Sequence, residues 1–242
     1  PLAFRAGTAD SPTFALGRAA HRAILEPDTF ASCYARLPDE FAQRRGKEYQ
    51  KWVEADGRVI LTRAEYDTAV AVADSARRNV AYRRLALGAP IEVSIVTRIR
   101  DIPVKARLDW AWSSSIGDLK TVATMDLGAF FRQCVNMDYL AQFAWYSDIW
   151  HTETGERPPF KAAIIEKKAP YDMAVVSFTD DDLEYGRQRY NEWLDRYLVC
   201  CERGEWPGVS GEDAVEFPFI FPAWAAPRDD ADGGFEGVEE GE

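Results

Sequence analysis

Long apolar runs are missing from this sequence. No stretch reaches the roughly 18 apolar residues that a membrane-crossing helix needs, so no membrane span is expected. Cysteine is scarce: four thiols (Cys33, Cys134, Cys200, Cys201) in 242 residues are too few for a disulfide scaffold. Cys200 and Cys201 are adjacent and do not readily bond each other, so a reducing, cytoplasmic setting is the expectation. The N-terminus has no signal-peptide pattern, and the chain opens on Pro1 rather than Met, as expected of a piece of a longer protein. Positive charge is also short. Lys and Arg total 29 against 40 Asp and Glu, giving a formal net charge of −11 and a pI near 4.8. A protein that held nucleic acid, or an anionic membrane, through bulk charge alone would be basic.

What is present suits a folded domain. The apolar fraction is 47%, and the length fits one large domain or two small ones. The charge imbalance is partly local. Residues 227–242 hold seven acids against one Arg, a net of −6, and the remainder carries −5. That tail is rich in Gly and acid and is expected to be disordered. The expected organisation is a single domain over 1–226, with a helical part at 11–88 and an α/β core at 89–206, followed by the acidic tail at 227–242.

Local patterns supply the elements. Ser11 as N-cap and Pro12 at the first helical position open a helix that Pro27 ends. Residues 38–56 read as charged helix or irregular chain. Thr62 to Glu65 fits a capping box, opening an Ala-rich helix closed by Gly88. The period then changes to two. Ile91–Thr97 and Val104–Trp110 alternate as strands around a turn near Arg100–Pro103, and Ile116–Val122 follows a serine-rich turn as a third strand. One long helix is expected over Asp126–Trp150, then strands at 160–167 and 173–178, and a last helix over 180–202. Helices followed by β-β-β-α-β-β-α predict a mixed central β-sheet flanked by helices.

The chemistry concentrates in Arg107-Leu108-Asp109 and Gly117-Asp118-Leu119-Lys120. On a strand, Asp118 and Lys120 share a face while Leu119 points away, and Asp109 on the neighbouring strand adds a second carboxylate. Two carboxylates suit Mg²⁺, and a lysine beside them can orient or deprotonate an attacking water. Acid-x-Lys alone is weak, since chance supplies about one such match in a chain of this composition. Glu166-Lys167-Lys168 is such a decoy. The first motif has company, however. Tyr139, Gln142 and Tyr146 lie on one helical face, and Glu92 adds an acid on the first strand.

Asp109, Asp118-Leu-Lys120 and the Gln142-x-x-x-Tyr146 helix resemble the PD-(D/E)xK nuclease superfamily in its RecB-type branch. With Gly17-Arg18-Ala-Ala-His21-Arg-Ala-Ile-Leu25-Glu26-Pro27, Arg107 and Thr121, the pattern is similar to the RecE-type exonucleases (exodeoxyribonuclease VIII) of phage and prophage, over about residues 11–206. It departs in having Leu, not Pro, before Asp109, and the acidic tail has no counterpart. The resemblance implies that Asp109, Asp118, the Leu119 backbone carbonyl and His21 bind Mg²⁺, with Mn²⁺ as substitute. Lys120 would position the attacking water, and Glu92 would support as a further acid. Tyr139, Gln142 and Tyr146 would shape the site and contact DNA. It further implies digestion of linear double-stranded DNA ends from the 5′ end, a single-strand annealing protein as partner for the 3′ overhang, and a homo-oligomeric ring, a tetramer in the RecE type.

Other readings stay beside it. Another RecB-type nuclease, acting on single strands or as an endonuclease, carries the same residues. So does a DNA-binding module that kept the fold without turnover, although the intact Asp109, Asp118 and Lys120 argue against loss. An iron–sulfur cluster fits poorly, because Cys200 and Cys201 are adjacent and Cys134 lies inside a helix. Arg107 and the arginines at 77, 78, 83 and 84 are expected to gather on one face near the site, because an encircling enzyme needs positive potential only along its channel.

Overall fold

The computed structural model describes residues 12–41, 43–86 and 88–207. Among the described residues, those from 12 to 198 form one compact unit, and 199–207 group separately. Ser11 and the acidic tail at 227–242 lie outside the described residues.

The helical part comprises α1 (Pro12–Leu25), α2 (Pro27–Cys33), α3 (Lys47–Asp56), α4 (Arg63–Arg78) and α5 (Val80–Ala86). Threaded among them are two three-residue parallel strands, β1 (Tyr34–Arg36) and β2 (Val59–Leu61). The capping box is present in both directions: Glu65 N donates to Thr62 Oγ1, and Thr62 N donates to Glu65 Oε2 at 2.7 Å. The Ala-rich segment is two helices rather than one. Asn79 adopts an extended backbone and ends α4, and its side-chain oxygen then accepts from Tyr82 N to restart the chain as α5. Pro27 does end α1, but only by opening α2 at once, where its missing N–H costs nothing. The small faces of α1 (Ala19, Ala20, Ala23) and α4 (Ala69, Ala73, Ala76) are buried, which lets the two helices pack closely.

The core is a five-stranded sheet in the order β3 (Ile91–Ile99), β4 (Ile102–Trp112), β5 (Ser115–Val122), β6 (Phe160–Glu166), β7 (Met173–Ser177). All neighbours are antiparallel except the central pair β5 and β6. A parallel pair needs a crossover, supplied here by α6 (Leu127–Asn136) and α7 (Tyr139–Thr154). The single helix expected over Asp126–Trp150 is therefore two. Asp138 takes the left-handed conformation (φ 52°, ψ 35°) and turns the chain between them. The β3–β4 hairpin is closed by Arg100 and Asp101, both at positive φ, as a tight primed turn requires. α8 (Asp180–Arg203) follows β7.

One face of the sheet buries Leu108, Ile116, Phe160 and Ile164 against α6, α7 and α8, and the other buries Trp110, Leu119 and Ile165 against α1 and α4. Gly117 is required where β4 and β5 meet. A Cβ there would sit 2.1 Å from Trp110 Cζ2 and 2.2 Å from the Lys161 carbonyl oxygen.

Candidate active site

The β4–β5 ladder pairs Trp112 with Ser115, Ala111 with Ile116 and Trp110 with Gly117, then stops. The strands part at Asp109 and Asp118, the next pair along. There the Asp109 carboxylate replaces the missing ladder partner, accepting Leu119 N at 2.5 Å. The split places two buried carboxylates side by side at the floor of a cleft of about 760 Å³.

Each expected residue can be located. Asp118 and Lys120 project from β5 towards α7, and Lys120 Nζ lies 2.8 Å from Asp118 Oδ2 and 2.9 Å from Gln142 Oε1. Gln142 Nε2 donates to Tyr146 Oη at 2.9 Å and reaches Asp118 Oδ1 at 3.4 Å. The Tyr139 ring lies under the ammonium at 4.6 Å. His21, on the inner face of α1, brings Nε2 to 2.9 Å from Asp109 Oδ2 and Nδ1 to 3.4 Å from Glu92 Oε1. Arg107 pairs with the other Glu92 oxygen.

Glu92 has an unusual backbone. Its φ is 54° inside a strand, and the β3–β4 register pairs Ile91 and Val93 across but skips it. A non-glycine residue in this region costs about 1–3 kcal/mol and persists only where its surroundings hold it. Here the contacts that hold it are His21 and Arg107.

The electrostatics follow from burial. Burial pushes the Asp118 carboxyl up to about 6, the charge of Asp109 adds to this, and Lys120 and His21 offset part of it. Burial disfavours the Lys120 ammonium, but Asp118 outweighs it and the pKa is raised, so the lysine stays charged. His21 behaves alike. Burial works against the imidazolium, yet the hydrogen bond and charge of Asp109, then the charges of Glu92 and Asp118, raise its pKa.

A cation suits this floor. One ligand atom each from His21, Glu92 and Asp109 lies within 4.8 Å of the other two. Asp118 Oδ2 is buried and, despite its ion pair with Lys120, has no aligned hydrogen-bond donor. Buried carboxylate oxygens in such a state suit a hard divalent cation with oxygen and imidazole ligands. The tightest set thus includes Glu92, while Asp118 is shared with Lys120. The Leu119 N–H is bonded to Asp109.

Some lining residues had no role in the sequence reading. Tyr34, Gln133 and Lys167 also line the cleft, Gln133 donating to Tyr139 Oη at 3.2 Å. Lys167 belongs to the decoy, and only the parallel pairing of β6 with β5 brings it here. Arg77, Arg78, Arg83 and Arg84 do not line the cleft, and Arg77 is engaged by Asp74. The cations that do are Arg18, Arg22, Arg107, Lys120 and Lys167. Cys134 is buried in the core.

A mixed sheet with a parallel centre and an acid pair with a lysine where its strands part defines the PD-(D/E)xK nuclease fold. The chain belongs to the family described as a PDDEXK-like domain of unknown function (DUF3799), which matches residues 2–216. A crystal structure from Eubacterium rectale, described as a "Putative exonuclease", shares the fold with a TM-score of 0.60 at 18% identity, over 84% of this chain and 71% of that one. No curated protein matches. Nucleases of this superfamily generally use divalent metals, and the acid and histidine cluster fits that chemistry. Among the described residues no helix is long and apolar enough to cross a membrane.

Proposed function

We propose that the protein is an Mg²⁺-dependent exodeoxyribonuclease of the RecE type. It digests linear double-stranded DNA from the 5′ end and leaves 3′ overhangs for a single-strand annealing partner in recombination. It works as a homo-oligomeric ring, a tetramer by the same resemblance. The observation that carries the catalytic part is the charged Lys120, fixed between Asp118 and Gln142, beside the His21, Glu92 and Asp109 cluster.

His21, Glu92 and Asp109 would hold the ion, with Asp118 completing the set. When bound, it supplies electrostatic stabilisation of charge on the scissile phosphate and acidifies the attacking water. Lys120, being an ammonium, orients that water or a phosphate oxygen by donating to it; it does not take up a proton. Gln142, itself held by Tyr146, keeps the Nζ atom in place, and the Tyr139 ring supports it from below. Arg107, half exposed at the rim, contacts the strand's phosphates.

The test is incubation with Mg²⁺ of a linear duplex carrying a 5′ phosphate, beside a covalently closed circle. The linear duplex is digested and the circle survives; Lys120→Ala lowers the rate by about a hundredfold or more. Inertness towards both substrates would sink the enzyme reading. A cut circle would sink the exonuclease reading, and an unaffected Lys120→Ala would sink the site assignment.

A further inference from the structure

Outside the cleft, the β3–β4 hairpin runs on as a two-stranded ribbon. β5 pairs with β4 only at residues 110–112, so 93–99 and 102–108 are strand partners of each other alone among the described residues. Alternation sorts the side chains of the ribbon. Ile95, Val104, Ala106 and Leu108 are buried in the core that α7 shares. Ser94, Val96, Arg98, Pro103, Lys105 and Arg107 point the other way and are exposed. Val96, 76% exposed, is the most open large apolar residue among the described residues, so the face is uncovered there.

The charge on this face has one sign. From 93 to 108 the chain holds Arg98, Arg100, Lys105 and Arg107 against a single acid, Asp101 in the tip turn. Charge commonly guards a strand edge against pairing, but a guard can carry either sign, and acids outnumber bases 40 to 29 in this chain. A row of cations is therefore complementary to a polyanion. Among the described residues neither Lys105 nor Arg98 has a carboxylate partner; the Arg98 guanidinium donates to the Asp101 carbonyl. The ribbon is also fixed in place. Trp145 Nε1, from the helix that carries Gln142 and Tyr146, donates to the Lys105 carbonyl at 3.3 Å, and Arg100 pairs with Asp195 of α8 at 2.7 Å.

The register sets the cations in line. Arg107 lies opposite Ser94, Lys105 opposite Val96 and Arg98 opposite Pro103, three successive outward rungs about 7 Å apart. Each step equals about two base pairs of duplex at roughly 3.4 Å rise. The row begins at the chemistry, because Arg107 also pairs with Glu92.

We propose that Arg98 and Lys105, continuing the line of Arg107, form a track for the phosphates of one strand of the duplex outside the cleft. The track reaches about four base pairs from Arg107. It rests on the nuclease reading for the identity of its ligand. The strand is held as duplex, because this face offers no aromatic ring on which unstacked bases would sit.

Binding in chelator tests the track without turnover. Labelled linear duplex and single strand are titrated across a salt series with the parent and three double variants. These are Arg98→Ala with Lys105→Ala, the charge-keeping Arg98→Lys with Lys105→Arg, and Arg83→Ala with Arg84→Ala, which removes two exposed charges of α5 outside the cleft. The first raises the duplex Kd about tenfold and lowers the slope of log Kd against log salt by about 2. The other two keep the parental slope. An unchanged duplex Kd and slope in the first variant, an equal loss in the α5 variant, or a loss on single strand alone overturns the track, as does a parent that does not bind duplex. A parent that binds duplex but never hydrolyses it with Mg²⁺ sinks the nuclease reading, and the same binding series still decides the track.

Discussion

Glu92 shows how a single residue can be read differently from sequence and from structure. In the pattern Ile91-Glu-Val93-Ser-Ile95 it is an outward acid on an ordinary strand, with solvation as an adequate explanation. The backbone says otherwise, because φ of 54° in a strand is expensive for any side chain with a Cβ. This gives a prediction that separates fold from function. Glu92→Gly relieves the strain and removes the carboxylate, so its stability stays within about 1 kcal/mol of the parent by urea unfolding. Its nuclease rate falls at least tenfold. Loss of the fold would make Glu92 structural, and full activity would remove it from the site. By contrast, Asp118 and Lys120 were legible in advance because strand alternation is the most regular signal a sequence carries.

At the scale of elements, α7 must be held rigidly, since it carries Tyr139, Gln142 and Tyr146. Its far end is tied to α8 through Asp148. This buried carboxylate accepts from Arg187 Nε at 2.7 Å, Arg187 Nη2 at 2.9 Å, Arg157 at 3.0 Å and the Tyr190 hydroxyl at 2.5 Å. Burial alone would raise its pKa, but the bonds from Arg187, Tyr190 and Arg157 win and hold the carboxyl below its usual range. A carboxylate depressed on folding stabilises the fold above its unfolded pKa of about 3.9, and this contribution is lost as pH falls through the folded value. Asp148→Asn therefore lowers stability by about 2 kcal/mol at neutral pH, a moderate figure because both arginines reach solvent. The gap between the two unfolding curves is constant from pH 7 to about 5 and narrows below about 4. A gap that widened with acid would contradict the assignment. The element boundaries themselves were legible where the period was strict, as in β3, β4, β5 and α8. They failed where the chain breaks without a composition change. Met137-Asp138 interrupts no apolar pattern, so α6 and α7 read as one helix, and β1 and β2 are too short for alternation to show.

For the whole molecule, the acidic balance of the sequence becomes a question of where charge sits. The arginines at 77, 78, 83 and 84 were expected beside the chemistry because an encircling enzyme needs positive potential along its channel. The fold instead gathers its cleft cations from α1, the β4–β5 hairpin and the end of β6, three segments far apart in the chain. No local window could have revealed that set, and the same holds for His21 meeting Asp109 and Glu92, which the family resemblance supplied only in part. Packing these acids on one buried floor stores like-charge repulsion, which Lys120 and His21 relieve incompletely. A divalent ion that binds the folded state alone should then stabilise the entire domain by mass action. At about a hundred times its Kd this amounts to about 2.7 kcal/mol, or roughly 5–10 °C in Tm for a domain of this size. Added Mn²⁺ or Mg²⁺ should raise Tm by that amount, excess chelator should reverse it, and Asp109→Asn should abolish most of the shift while still folding. An equal shift in Asp109→Asn would mean that the ions act elsewhere on the acidic surface, and the floor of the cleft would lose its claim to the metal.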